Sequence, residues 1–389
     1  MKIHLKRLCA LYVPRVLSGF VLSRLGSCGG KQAIRAHFIW HFWALGRVME
    51  SLNTVSSTPP AYAMPVAVKF SDLMGLIPRW AWLGGKWPYS IQMVLAFFVG
   101  TAWTLKALTN KGKASLTLSA ISHVMSVSYF RSWQVYWKIQ INHARNTLTF
   151  STLCRLPRDQ LLRWGRKHTH VDIQVPKGSA PEKPVIYLLV SFALHYFGML
   201  VPVKQQYANA RKIAVVQPRC ALEPLRDIGF YPFLSTMTGQ KIEGIAADQP
   251  LVARQIARAV RQGYSVAMRV DSMPTETVRM VGSRLCGKAA MFPLSILEIA
   301  KRLEVDLVVL SVVREGGVFR TASHLRLSVP SQSSGEELAE LACRIDGAIG
   351  ALIARYPEQY TAWHAVAERW RLAQEIEQAL SDGGEYETA

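Results

Sequence analysis

Acidic residues are scarce in this chain: 26 Asp and Glu stand against 46 Lys and Arg, for a formal net charge of +20 and a pI near 9.9. A basic surface attracts nucleic acid, anionic lipid or an acidic protein, and composition alone does not choose among them. Zinc-finger spacing, an RNA-binding aromatic motif and a long Lys/Arg block are all missing, so nucleic acid is not an expected partner. The six cysteines (Cys9, Cys28, Cys154, Cys220, Cys286 and Cys343) form no C-x-x-C pair. Neither a disulfide framework nor a zinc site is expected, and a reducing, cytosolic setting is the default. No Walker-type or dinucleotide-type glycine loop occurs. Gly282-Ser283 lacks the strand–turn–helix context of a nucleophile elbow. Internal repeats and long low-complexity tracts are absent too.

What is present is apolar and aromatic. Half of the 389 residues are hydrophobic, enough for one large core or two ordinary ones, and the chain holds 11 Trp. Many of these lie near Arg or Lys, a combination suited to a membrane interface. Tyr89 to Leu105 is free of charge and flanked by Lys86 and Lys106. About twenty residues are needed to span a bilayer, so this run falls slightly short. It reads as a membrane-dipping or interfacial helix, with a buried core helix as the alternative.

Residues 1–63 carry eight Lys/Arg and a single acid, Glu50. They read as a targeting peptide without a convincing cleavage site, as a basic interfacial anchor, or as translated upstream sequence with the start at Met64. Residues 64–150 read as a helical, membrane-associating segment. Pro157-Arg158-Asp159 marks a helix start. From Val185 onward strands and helices alternate: strands at Val185–Val190, Lys212–Val216, Ser265–Val270, Val305–Val313 and Leu325–Val329, and helices at Leu222–Met237, Leu251–Gln262, Pro293–Leu303 and Glu336–Ala354. Such alternation predicts an α/β fold over residues 151–370, a mixed, largely parallel central sheet flanked by helices. Residues 371–389 form an acidic helical tail.

Two residues stand where chemistry is expected in such a sheet, just past the carboxyl ends of strands. His195 follows the run Tyr187-Leu-Leu-Val-Ser-Phe-Ala-Leu194. It is either a general base, with a pKa near neutrality, or a hydrogen-bonded core histidine. No acid follows it before Glu223. Asp271 ends the strand Ser265–Val270 and is either a partner for an imidazole or substrate hydroxyl, or a turn cap. Arg269, Arg279 and Arg284 surround the same strand end in sequence. They suit a phosphate or carboxylate ligand, or form a solvated basic face.

The order of these pieces, from about Trp80 to Trp370, resembles the bacterial lysophospholipid-acyltransferase superfamily, in its lipid A late acyltransferase branch. Arg355-Tyr-Pro-Glu-Gln-Tyr-Thr-Ala-Trp-His364 is similar to that branch's hPEQWxWxHRRW signature, and Val308 to Arg314 to its V-V-P-x-x-x-R strand. Gly263 to Asp271 looks like the strand ending in P-D-Q, and Gly287 to Leu294 like the segment before the following helix. The strand into His195 matches the one leading to H-x4-[DE], with Leu200 at the acidic position. The resemblance implies a membrane-associated acyltransferase at the cytoplasmic face of the bacterial inner membrane. His195 would be its base, Asp271 the replacement acid, and Arg269, Arg279, Arg284 and Arg314 its substrate-binding residues. The donor would be an acyl thioester on acyl carrier protein or coenzyme A, and the acceptor a membrane lipid or another hydrophobic hydroxyl compound. No metal or bound cofactor is called for. The alternative is an inactive relative that holds carrier protein or lipid for a partner enzyme.

Overall fold

The computed structural model describes residues 79–109, 111–153, 156–172, 184–192, 212–217, 241–247, 251–271 and 279–381. The chain divides into two compact units, Met1–Pro60 and Ala61–Ala389, and every described residue belongs to the second. The expectations for residues 1–63, for the helix at Leu222–Met237, and for His195 and Leu200 lie outside the described residues.

Helices come first: α1 (Arg79–Gly84), α2 (Tyr89–Thr109), α3 (Lys111–Met125), α4 (Tyr129–Leu153) and α5 (Arg158–His168). The α/β part follows with β1 (Thr169–Asp172), β2 (Ile186–Leu189), β3 (Lys212–Gln217), β4 (Lys241–Ala246), α6 (Val252–Arg261), β5 (Ser265–Arg269), β6 (Met280–Leu285) and β7 (Lys288–Pro293). It ends with α7 (Leu294–Leu303), β8 (Leu307–Glu315), β9 (Val318–Leu327), α8 (Gly335–Arg355) and α9 (Trp363–Ser381).

Seven strands form one sheet in the order β1-β9-β8-β2-β5-β3-β4. Every pairing is parallel except β8 with β9. This is the mixed, largely parallel sheet that the alternation implied. Its centre follows from composition. All four residues of β2 are buried, and so are the first seven of β8. Continuous apolar runs of that kind belong to strands covered on both faces. Helices that pack on the sheet show apolar stripes instead, as α8 does with Leu338, Leu341, Ala342, Ile345 and Ile349 buried. α8 starts at a capping box in which Ser334 accepts from the Glu337 amide and Glu337 from the Ser334 amide.

The strands expected at Val305–Val313 and Leu325–Val329 are two arms of one hairpin, and β9 begins seven residues earlier than expected. The turn is Gly316-Gly317, with φ of +55° and +87°. Positive φ at both positions is what a two-residue hairpin loop needs to match strand twist. β6 and β7, which the sequence reading left unassigned, form a separate two-stranded antiparallel sheet.

α2 inverts the usual amphipathic pattern. Gln92, the one amide side chain inside the apolar run, is buried and donates to Trp87 O at 2.9 Å and Thr152 Oγ1 at 3.3 Å. Gly100 lies against α4, where an added Cβ would come within 2.5 Å of Ile141 Cα. Ile91, Val94, Phe97, Leu105 and Leu108, by contrast, are exposed. By length and composition, Tyr89–Leu108 is the helix among the described residues suited to crossing a membrane, and 28% of that window is buried. That fraction is low for the core helix of a globular domain.

Candidate active site

The carboxyl ends of β2, β5 and β8 lie side by side, because β2 pairs with both of the others in parallel. The register pairs Leu189 with Arg269. Two residues further along each strand, Ser191 therefore faces Asp271. Asp271 is 1% exposed. Its Oδ2 accepts from the Ser191 amide at 2.7 Å and its Oδ1 from the Ser191 hydroxyl at 2.6 Å. The Arg269 guanidinium stands 3.7 Å from Oδ1. A carboxylate has about four acceptor positions, so two hydrogen bonds do not exhaust it.

Ser191 is held from its other side as well. Its carbonyl accepts from the Thr361 amide and from the Thr361 hydroxyl, both at 2.9 Å. Phe192 forms an isolated antiparallel bridge with Tyr360, their ring centroids 5.4 Å apart. The Tyr360 phenol is fully buried. Burial, and then the Asp271 charge, push its pKa well above the ordinary tyrosine value. The hydroxyl faces Asp271 without completing a hydrogen bond of good geometry. The stem of the segment that leads to His195, three residues past Phe192, is thus fixed on both sides.

The stretch Arg355–His364 acts as a buckle around this stem. The Gln359 amide group binds the backbone of Arg314 in both directions, accepting from its N–H at 2.7 Å and donating to its carbonyl at 2.9 Å. That extends β8 with a side chain instead of a strand. The Glu358 carbonyl accepts from Asn142 of α4 at 2.8 Å. Tyr356 donates to Glu315, and the Trp363 indole donates to Pro357 O at 3.1 Å. The motif residues accounted for here are structural ties between β8, β2 and α4.

The arginines expected around one strand end are dispersed. Arg269 is beside Asp271. Arg279 precedes β6 and pairs with Glu298 of α7 at 2.9 Å. Arg284 lies on β6 with its side chain exposed. Arg314 is the penultimate residue of β8 and faces α4, donating to Thr149 Oγ1 at 3.1 Å. Adjacency in sequence had suggested a single cluster, but β6 and β7 leave the main sheet and carry two of these residues with them.

A second polar centre was missed by the sequence reading. Asp346 and Arg369 are fully buried and form an ion pair. Asp346 also accepts from Ser283 at 2.6 Å, and Arg369 Nε donates to Met291 O at 2.6 Å. The Trp370 indole donates to Leu285 O at 3.0 Å. Burial raises the Asp346 pKa, and Arg369 and Ser283 oppose that rise. The available signal was a lone aspartate on the apolar face of α8. Among the described residues, no group of three or more His, Cys, Asp or Glu side chains is placed to hold a metal ion.

No protein-family model matches the chain, and no curated protein matches it in sequence. Among solved structures it is similar to the crystal structure of the 1-acyl-sn-glycerophosphate (LPA) acyltransferase, PlsC, from Thermotoga maritima, at 13% identity and a TM-score of 0.33. That match covers 69% of this chain and 99% of the other. So loose a likeness carries no argument, and the α/β assignment rests on the strands described above.

Proposed function

We propose that this chain is a membrane-associated acyltransferase that moves an acyl group from a thioester, on acyl carrier protein or coenzyme A, to a hydroxyl of a lipid or specialised metabolite. His195 takes the proton of the acceptor hydroxyl. The oxygen attacks the thioester carbonyl carbon, the C–S bond breaks, and the thiolate leaves with the proton from the imidazolium. Asp271 is the positioning residue, and the substrate-binding side chains are Arg269, beside Asp271, and Arg314, near the end of β8. Arg279 and Arg284 would reach substrate only from the β6–β7 hairpin. The observation that carries this reading is the buried Asp271 carboxylate locked to Ser191, four residues before His195, at the sheet edge where α/β proteins bind ligands.

The outward apolar stripe of α2 supports a place against a lipid surface, at the cytoplasmic face of a bacterial inner membrane. Exposed Tyr129 (62%) and Phe130 (71%) at the start of α4 add to it. Aromatic and basic side chains are favoured together at such interfaces.

The test is transfer of a labelled acyl group from acyl carrier protein, or from coenzyme A, in membranes holding the native chain or His195→Ala. Transfer is expected from the native chain and lost in the variant; full activity in the variant would sink the proposal. A second reading, an inactive protein that binds carrier protein or lipid for a partner enzyme, is favoured by one observation: both Asp271 oxygens already serve Ser191. That reading predicts carrier binding without turnover and indifference to His195→Ala.

A further inference from the structure

Seven arginines of the fold (Arg269, Arg279, Arg320, Arg326, Arg355, Arg369 and Arg371) each face a carboxylate among the described residues. Arg145 of α4 and Arg314 of β8 do not, among the described residues. Arg314 donates from Nη2 to Thr149 Oγ1, and its Cζ lies 4.4 Å from the centroid of the Phe319 ring. Its Nε and Nη1 are buried without a hydrogen-bond partner. Arg145 donates from Nη2 to the Tyr89 hydroxyl and lies 5.7 Å over that ring. Its Nε is buried and unpartnered too.

Thr149 links the two residues: its Oγ1 accepts from Arg314 Nη2 at 3.1 Å and donates to the Arg145 carbonyl, one helical turn back, at 2.9 Å. Burial first, and then the charge of Arg145, pull the Arg314 pKa down to about 10. The pKa of His168, at the end of α5, is lowered by burial and by the charges of Lys167 and Arg314. α4, α5 and β8 thus converge on one positive place, where no carboxylate of the described residues pairs with Arg145 or Arg314. Ring faces partly offset a cation, but they meet its flat side and leave the in-plane N–H groups unanswered. Buried donors without acceptors are costly, and more so when charged.

We propose that Arg145 and Arg314 form a binding site for a phosphate group, with the Tyr89 and Thr149 hydroxyls at its border. A carboxylate offers two oxygens in one plane, which match a single guanidinium fork. Phosphate presents oxygens in several planes and serves two forks at once. Tyr89 opens α2, whose exposed apolar stripe suits a lipid surface, so the phosphate is either free or part of a lipid headgroup. The site does not depend on acyl transfer.

The experiment is titration of the full chain with inorganic phosphate, followed by calorimetry and by 31P line width. Saturable binding is expected, weakened at least tenfold by Arg145→Gln and by Arg314→Lys and unchanged by Arg371→Gln. The Arg314→Lys change keeps charge and removes the fork. If either variant fails to fold, Tyr89→Phe at an exposed position is the substitute, with an expected loss of about threefold. A parallel arm compares phosphatidylcholine vesicles containing phosphatidic acid with vesicles given equal charge by oleic acid. Preference for phosphatidic acid, lost in the arginine variants, assigns the phosphate to a headgroup. Inorganic phosphate binding without that preference assigns it to a free ligand. No saturable binding in either arm, or binding that both arginine variants retain, overturns the proposal.

Discussion

Asp271 and Ser191, eighty residues apart in sequence, are joined by two hydrogen bonds of 2.7 and 2.6 Å, one to each carboxylate oxygen. The β2–β5 register creates this pair, and the pair fixes the stem of the segment that carries His195. Asp271→Ala leaves the Ser191 amide buried and unpaired, at a cost of about 1–3 kcal/mol. Asp271→Asn keeps an oxygen for that amide, and the serine hydroxyl turns to accept from the new NH2 group. The Asn variant should therefore be the more stable of the two in urea denaturation. Acyl transfer that falls in Asn as far as in Ala shows that the negative charge matters to the reaction; transfer retained in Asn shows that position alone matters.

The buried pair Asp346–Arg369 calls for a double-mutant cycle. Removing one partner strands a charge in the core, and either Asp346→Leu or Arg369→Met alone should cost about 3–5 kcal/mol. Removing both strands none, and the double variant should recover most of that loss. Additive single costs would mean that the two side chains are held independently by Ser283 and Met291. Denaturant midpoints of the four proteins decide it.

Packing between α2 and α4 rests on a glycine. Gly100→Ala places a methyl group where the Ile141 backbone already lies, and backbone cannot step aside as a side chain can. The expected cost is about 1–3 kcal/mol, through displacement of α2. If α2 is also the surface that meets lipid, the same variant should sediment less fully with membranes. A fully stable Gly100→Ala protein would mean that the two helices separate without penalty.

How much of this was legible in the sequence depends on range. The apolar runs of β2, β5 and β8 announced buried strands because continuous apolarity is local information. Gly263, at φ +82°, stopped α6 where its position after Gln262 implied. The short edge strand β4 was not legible, because Glu243 and Gly244 interrupt its pattern and only pairing with β3 makes it a strand. Asp271 was singled out as a candidate from its place at a strand end. Its partner Ser191 was not, since the contact is set by how β2 aligns with β5. The same limit explains Arg314: the family resemblance marked it as a site residue, but Arg145, 169 positions earlier, comes near it only when α4 meets the end of β8 at Thr149.

Alkaline pH offers a test of the contact between the β6–β7 turn and α8. Burial, and then the Asp346 charge, push the Cys286 thiol from 9.0 up to about 12. A folded-state pKa above the unfolded one means that the folded protein holds the proton more tightly. The associated stability is complete below about pH 9, where the thiol is protonated in both states. It declines from there as the unfolded thiol ionises, and is spent as pH passes the folded value near 12. Tyr264, Tyr356 and Tyr360 are also raised, but from an ordinary value of 10.0, so their decline starts later. Between pH 9 and 10 the native protein should therefore lose stability that Cys286→Ala retains. Urea denaturation at half-unit steps from pH 8 to 10 measures the difference in slope, and equal slopes would mean that Cys286 is open to solvent.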